Sequence, residues 1–350
     1  MKIGVAIGGD MGEVAALAAR AEAGGLESVW LAELDHSAFV QAAAAISATS
    51  RVGVGTAVAL AFPRSPTVTA MTAWDLDEMS GGRFMLGLGP QVKRVLEARF
   101  SVRVDRPAPQ MREYVRAIRT IWAANRGDAV THEGEAYRIT MPTFYGRPRP
   151  ERRDTPILLA AVGPVMSGVC GEVADGLVGH PLASSRYLRE GVLPAVAAGL
   201  ERAGRPDNAC PISATLIVSL GDDADDARRA ARLQIAFYAT TPSYKPILAL
   251  HGRADLPRDL RRAFVSRDHA RMAELIDDNV LDEIAVSGRL DEAADRLRAW
   301  EGVAERAILG VPWYGLSPER QRDAIEAALE LGSRVAQAAP AAGARAGGTA

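Results

Sequence analysis

The chain holds only two cysteines in 350 residues, Cys170 and Cys210. That rules out a disulfide framework and a thiolate metal knuckle, and it suits a reducing, cytoplasmic setting. Net formal charge is −2, so the sequence carries no electrostatic footprint for nucleic acid or an anionic membrane. No apolar run reaches the ~20 residues needed to span a bilayer. The opening "MKIGVAIGGD" is too short and too glycine-rich for a secretory leader and reads as a strand. No His/Asp/Glu cluster has metal-ligand spacing, and no G-x-S-x-G elbow occurs. "GGDMGE" after the first strand does not spell G-x-G-x-x-G, which counts against an open dinucleotide-binding sheet.

What remains is the composition of an ordinary globular protein, 48% hydrophobic and 24% charged. Short apolar runs recur with helical patterns between them. The strand candidates are Lys2–Ile7, Ser28–Leu31, Val52–Val58, Phe84–Leu88, Pro156–Ala161, Gly176–Val178, Pro211–Ser219 and Ala307–Val311. They show little alternation, as expected of strands buried on both faces. The helices carry clear punctuation. Ser65-Pro66 opens one and Gly81-Gly82 closes it, with Val68, Met71, Thr72 and Met79 near one face. Val14, Leu17, Ala18 and Ala21 form a stripe that Gly24 ends, and Met111 to Trp122 forms a broad apolar face suited to core or interface. Eight alternating βα units predict an α/β fold of the (β/α)8 TIM-barrel type. Ala129–Thr155 and Thr240–Asn279 are too long for plain loops and read as insertions after strands 4 and 7. One barrel domain is expected over residues 1–335, with an Ala/Gly-rich disordered tail at 336–350.

Barrel active sites form at the C-terminal strand ends. Here those ends are mostly small: Gly8-Gly9-Asp10, Ala57 to Phe62, Gly87 to Gln91, Ala161 to Pro164, Gly179 to Pro181 and Pro312 to Tyr314. "SVWLAELDHSAFV" is the exception, a buried strand that breaks into Glu33, Asp35 and His36. Asp35 and His36 could serve as acid, base or ring contacts, or as a helix N-cap and a solvent-facing imidazole. "AAVGPVMSG" turns into a helix whose free N–H groups favour phosphate, though an ordinary βα turn reads the same way. "GLGPQ" has a similar double reading, as a site or as the start of a helix at Pro90. His180 sits at another strand end, whereas His132, His251 and His269 fall in polar segments expected to be exposed.

Taken in order, "WLAELDHSAF", "VGVGTAVALAFPRSP", "TAWDLDEMSGGRFMLGLGPQVKRVLEARF", "RPAPQMREYVRAIRTIW", "ILLAAVGP", "GEVADGLVGHP" and "DEIAVSGRLDEAADRLRAW" resemble the luciferase-like monooxygenase superfamily. The likeness is strongest to its bacterial branch of oxidoreductases using the deazaflavin coenzyme F420. The resemblance implies a deazaflavin ring packed on a bulge at Ala57-Val58 that contains a non-prolyl cis peptide. It implies ring or substrate contact by Asp35 and His36, a phosphate over Ala161, Val162 and Gly163, and a wall at Gly87 and Gly89. The family's sugar-phosphate and alcohol dehydrogenases carry a glutamate just after the fourth-strand glycines. Here that region reads "GPQVKR", with no carboxylate before Glu97, and Leu34 stands where relatives often have a small hydroxyl residue.

The expected chemistry is hydride transfer between reduced F420 and an electrophilic small molecule, with reduction of a polarised C=C or C=N bond favoured over alcohol oxidation. His36 is the first choice of proton donor, because histidine titrates near neutrality, with Asp35 orienting it or the ring. His180 is a further cofactor contact, and both it and Tyr314 are weaker candidates for the proton. The alternatives are an FMN-dependent monooxygenase on the same fold and a ligand-binding barrel without catalysis. The resemblance also implies a homodimer.

Overall fold

The computed structural model describes residues 1–125, 127, 129–141 and 155–338. Eight parallel strands close into a ring: β1 Lys2–Ile7, β2 Ser28–Leu31, β3 Gly53–Thr56, β4 Phe84–Gly89, β5 Ile157–Ala161, β6 Gly176–Gly179, β7 Ile212–Leu220 and β8 Arg306–Gly310. Each pairs with its neighbours in chain order, and β7 pairs with both β6 and β8 to close the barrel. Eight helices follow the strands in turn: α1 Met11–Ala23, α2 Ala38–Ser47, α3 Pro66–Ser80, α4 Pro107–Asn125, α5 Pro164–Val173, α6 Leu193–Arg202, α7 Ala224–Ala239 and α8 Pro318–Ala338. This is the (β/α)8 barrel expected from the alternation of elements.

The barrel axis is filled rather than hollow. Trp30 of β2 is wholly buried there with Leu158, Val178 and Ile308 from β5, β6 and β8. Gly55 on β3 is required beside it, since a Cβ at that position would collide with the indole. Below Trp30, at the N-terminal strand ends, Arg306 donates to both Glu27 oxygens at 2.8 and 2.7 Å and to Ser213 Oγ at 3.0 Å. Burial works to raise the Glu27 pKa, but the Arg306 guanidinium outweighs it and holds the carboxyl below its ordinary value. With that end plugged, the C-terminal ends form the open mouth.

The caps show why the helices start and stop where they do. Asp10 and Glu13 form a reciprocal capping box at α1, and Gly24 ends it. Ser65 accepts from Val68 N–H ahead of Pro66 in α3, and Gly81 closes that helix in the left-handed region. The face of α4 from Met111 to Trp122 is at most 1% exposed at Met111, Tyr114, Val115, Ile118, Ile121 and Trp122, so it is core.

Several boundaries differ from the sequence reading. The third strand does not run from Val52 to Val58: it stops at Thr56, breaks at Ala57-Val58, and resumes as Ala59–Leu60 paired to β4. A strand at Ala285–Gly288, absent from the reading, pairs with the C-terminal half of β7 outside the ring. The stripe Val68, Met71 and Met79 faces outward, 51 to 57% exposed. The buried side of α3 is instead Thr69, Ala70, Ala73, Trp74 and Leu76, whose small members let the α4 rings approach. Tyr114 Oη and Thr69 Oγ1 lie 2.6 Å apart, and Trp122 Nε1 donates to the Ala70 carbonyl at 3.0 Å.

Between β4 and α4 lies an extra helix, Lys93–Phe100, and the insertion after α4 holds a hairpin of Val130–Glu133 with Arg138–Met141. The Pro-rich remainder of that excursion, 142–154, lies outside the described residues. The insertion after β7 is a run of short helices between Pro242 and Ile284. Helix α8 continues to Ala338, covering the first three residues of the expected tail, and 339–350 lie outside the described residues. No helix among the described residues is long and apolar enough to cross a membrane.

Candidate active site at the barrel mouth

The break after β3 is held in place by Glu33. This carboxylate accepts from Leu60 N–H and from Arg64 Nη1, both at 2.8 Å, and pairs with Arg64 Nη2 as well. Two backbone links complete the bracket: Ala57 N–H donates to the Leu31 carbonyl at 2.8 Å and Glu33 N–H to the Val58 carbonyl at 3.3 Å. The Ala57-Val58 peptide inside it is cis, at the position the resemblance implied. Glu33 is thus a structural acceptor that ties the end of β2 to the bulge.

Gly87 and Gly89 sit directly beneath this bulge and are buried. A Cβ on Gly87 would collide with the Thr56 carbonyl, and one on Gly89 with the Val58 side chain. Thr56 Oγ1 meanwhile donates to the Gly87 carbonyl at 2.6 Å and accepts from Gly87 N–H at 2.9 Å. The two glycines therefore act on the mouth through the bulge that they support. The adjacent "GPQ" does not start a helix at Pro90. Gln91 takes a left-handed conformation, and the helix begins at Lys93.

Asp35 and His36 follow Glu33 by two and three residues in the loop at the C-terminal end of β2. Both are exposed and neither side chain has a hydrogen-bond or ionic partner among the described residues. Ser37, not Asp35, is the N-cap residue of α2. The loop is braced from outside, because Arg99 Nη2 donates to the Leu34 carbonyl at 2.8 Å. The Leu34 side chain itself is exposed.

At the end of β5, Ala161 is buried while Val162 and Gly163 are half-buried, and a Cβ on Gly163 would meet open space. Gly163 is the N-cap residue of α5, with Pro164 following. The amides of Val165 and Met166 in that first turn lack an intrahelical acceptor, which leaves them for an anion. From the neighbouring unit, Tyr187 Oη donates to the Val162 carbonyl at 2.9 Å and fixes the turn.

Across the mouth lies a wall that the sequence reading largely missed. His180, at the end of β6, packs against Tyr244 and Tyr238 with ring centroids 4.1 and 4.9 Å away. Phe237 and Tyr238 come from the end of α7, and Trp313 and Tyr314 from the end of β8. Burial pushes the His180 pKa down to about 3 and the Tyr244 phenol up to about 12, and it also raises Tyr238 and Tyr314. This wall is therefore uncharged at neutral pH. The available signal was "FY" and "WYG" at fixed positions after apolar runs, residue types that read equally well as core.

The other histidines divide. His269 is exposed and 3.2 Å from Tyr314 Oη. His251 and His132 are not exposed as expected: His251 is half-buried against Ser184 Oγ at 2.9 Å, and His132 packs beside Glu113 at 3.6 Å. Glu113 also receives two amides of the hairpin, which explains why that segment folds back onto α4. Cys170 and Cys210 are buried free thiols.

A closed barrel with a bracketed bulge and a turn of free amides at the start of α5 defines a class, and comparison with known proteins gives it a family. The family model for luciferase-like monooxygenases matches residues 3–305. The chain belongs to that family. It is 40% identical over 316 residues to an uncharacterised protein of Mycobacterium tuberculosis (strain ATCC 25618 / H37Rv), covering 88% of this chain and 92% of that one. A second protein of that organism, provisionally named a coenzyme F420-dependent oxidoreductase, is 30% identical over 305 residues, covering 82% and 87%. In structure the chain resembles the coenzyme F420-dependent tetrahydromethanopterin reductase of Methanopyrus kandleri, with a TM-score of 0.77, 21% identity, and 95% and 97% of the two chains covered.

Proposed function

We propose that the chain is an F420-dependent oxidoreductase that transfers a hydride between reduced deazaflavin and an electrophilic organic molecule. The observation that carries this reading is the exposed, unpartnered Asp35-His36 pair beside a bulge whose geometry Glu33 fixes. The F420-dependent relative supports the choice of cofactor.

The residues present fit the group. Ala57 and Val58 would carry the ring, with Gly87 and Gly89 beneath them, Asp35 and His180 as flanking contacts, and Ala161, Val162 and Gly163 taking the phosphate. When bound, F420 supplies the hydride carrier; the protein supplies orientation, exclusion of water and protons. His36 is the group we assign to hold and deliver the proton, with Asp35 left free to orient the ring. Burial brings the His180 pKa down to about 3, which makes it a weaker choice of acid than His36.

Reduction of a polarised C=C or C=N bond is the favoured reaction. Among the described residues the end of β4 carries no carboxylate to take a hydroxyl proton. Glu97 lies within the helix Lys93–Phe100 and faces Arg103 at 3.8 Å. We further propose a cytoplasmic homodimer, and assign its apolar contact to Val40 on α2 with Val68, Met71 and Met79 on α3, all exposed in the single chain.

Parallel titrations of the purified protein with oxidised F420 and with FMN test the cofactor choice. Saturable F420 binding at concentrations where FMN does not bind is expected. Tight FMN binding without affinity for F420 would favour the monooxygenase reading instead.

A further inference from the structure

The end of α7 and the loop after β8 bring a cluster of aromatic rings together, joined by Tyr244 of the β7 insertion. Tyr314 stacks on Phe237 with centroids 4.3 Å apart and 20° between the planes. Trp313 meets the edge of Phe237 at 5.0 Å, and its Nε1 donates to Tyr238 Oη at 3.4 Å. The loop that carries both rings is anchored by one buried side chain. Gln234 Oε1 accepts from Trp313 N–H at 2.9 Å and from Tyr314 N–H at 3.0 Å. Despite this anchoring, Trp313 remains 36% exposed. A fixed, exposed aromatic face binds flat apolar groups at low entropic cost.

His180 adds a single directed polar group. Its Nδ1 accepts from Leu182 N–H at 3.1 Å, which places the ring proton on Nε2. The Nε2–H has no partner among the described residues, and the tyrosine rings on either side hold the imidazole still. Burial keeps the ring uncharged. It is a donor of fixed direction that does not titrate near neutrality.

We infer that the β6–β8 side of the mouth is the substrate subsite, and that it takes a flat, uncharged ring system bearing a carbonyl-type acceptor. The ring lies against Trp313, and the acceptor takes a hydrogen bond from His180 Nε2. This assignment rests on the oxidoreductase reading, which is what calls for a second ligand at the mouth. It also gives His180 a role that polarises the substrate, since a hydrogen bond to a conjugated carbonyl draws electron density from the adjoining C=C bond. Aromatic faces and a neutral imidazole offer no counter-charge, so a sugar phosphate is a poor occupant.

The test uses 1-indanone as a flat ketone and glucose 6-phosphate as an anionic contrast, each titrated calorimetrically into the full chain with and without F420. Trp313→Ala and His180→Phe are each expected to weaken 1-indanone binding about tenfold, the scale of one aromatic contact or one hydrogen bond. His180→Gln, whose amide can both accept from Leu182 and donate outward, is expected to restore most of the affinity. F420 affinity should stay within about twofold in Trp313→Ala, and glucose 6-phosphate should not bind. Circular dichroism checks that each variant folds.

No binding of 1-indanone to the wild type overturns the inference, as do affinities unmoved by either loss variant. Loss of F420 affinity in His180→Phe with 1-indanone binding intact also overturns it, by assigning His180 to the cofactor alone. The expected 1-indanone pattern in a protein that takes no F420 would leave the subsite standing and remove the oxidoreductase reading.

Discussion

Glu33 and His36 lie three residues apart at one strand end and do unlike work. Glu33 is nearly buried, and its carboxylate is used up by Arg64 and the Leu60 amide; His36 is exposed and uncommitted. Their substitutions should separate accordingly. His36→Ala is expected to lower turnover by about 100-fold or more, the scale of a lost general acid, while leaving F420 affinity and thermal stability close to wild type. Turnover at wild-type level in that variant would remove His36 from the mechanism. Glu33→Ala leaves a half-buried guanidinium and a backbone amide without their acceptor. A loss of about 2–4 kcal/mol of stability is expected by chemical denaturation, with weaker F420 binding because the bulge is released. His180 contributes a pH dependence of its own. Its folded pKa of about 3 lies below the ordinary imidazole value, so the unfolded chain binds more protons between the two. The stability it permits is fully present above about pH 6.5 and falls as pH drops toward 3.

At the scale of elements, the joint between α1 and β3 is the clearest test of how the barrel is held in register. Glu22, near the end of α1, accepts from the amides of Ser50, Arg51 and Val52 just ahead of β3, the Ser50 and Val52 bonds at 3.0 and 2.9 Å. Burial works to raise its pKa, but these bonds outweigh it and bring the carboxyl down to about 2. Glu22→Gln is expected to cost about 1–3 kcal/mol of stability at neutral pH. The difference from wild type should shrink as pH falls from about 4.5 to 2, where wild-type Glu22 loses its charge advantage. Equal stability of the two proteins across that range would contradict this role.

The eight barrel strands were legible because buried parallel strands are continuous apolar runs bounded by turn residues. The lip was legible because carboxylates and an imidazole are unexpected after "SVWL". Two things escaped. The direction of the Val68, Met71 and Met79 stripe was one, because helical periodicity reports an apolar face without saying which way it points. Thr69, Ala70 and Ala73 form the packed face because they are small. The aromatic wall escaped because Tyr238, Tyr244 and Trp313 meet only once the barrel is closed and its insertion folded, at sequence separations that periodicity does not relate.

At the scale of the whole molecule, one end of the barrel is sealed and the other is two-sided. Arg306, Glu27 and Ser213 close the bottom beneath Trp30. At the top, a polar lip with Asp35 and His36 faces a neutral aromatic wall built from the end of α7, the loop after β8 and Tyr244 of the β7 insertion. The proposed homodimer belongs to this scale as well. Light scattering should give twice the mass of the single chain, and Met71→Glu, which sets a charge in the assigned apolar contact, should shift the protein toward monomer. A monomeric wild type would contradict that assignment.

The account rests most heavily on where the cofactor sits, and a crystal structure of the protein with F420 addresses that directly. The deazaflavin ring is expected against Ala57-Val58, with Asp35 and His36 at its edge, its phosphate over Ala161–Gly163, and the aromatic wall left open for a second molecule. A ring bound away from the bulge, or a phosphate held anywhere but the turn into α5, would contradict it.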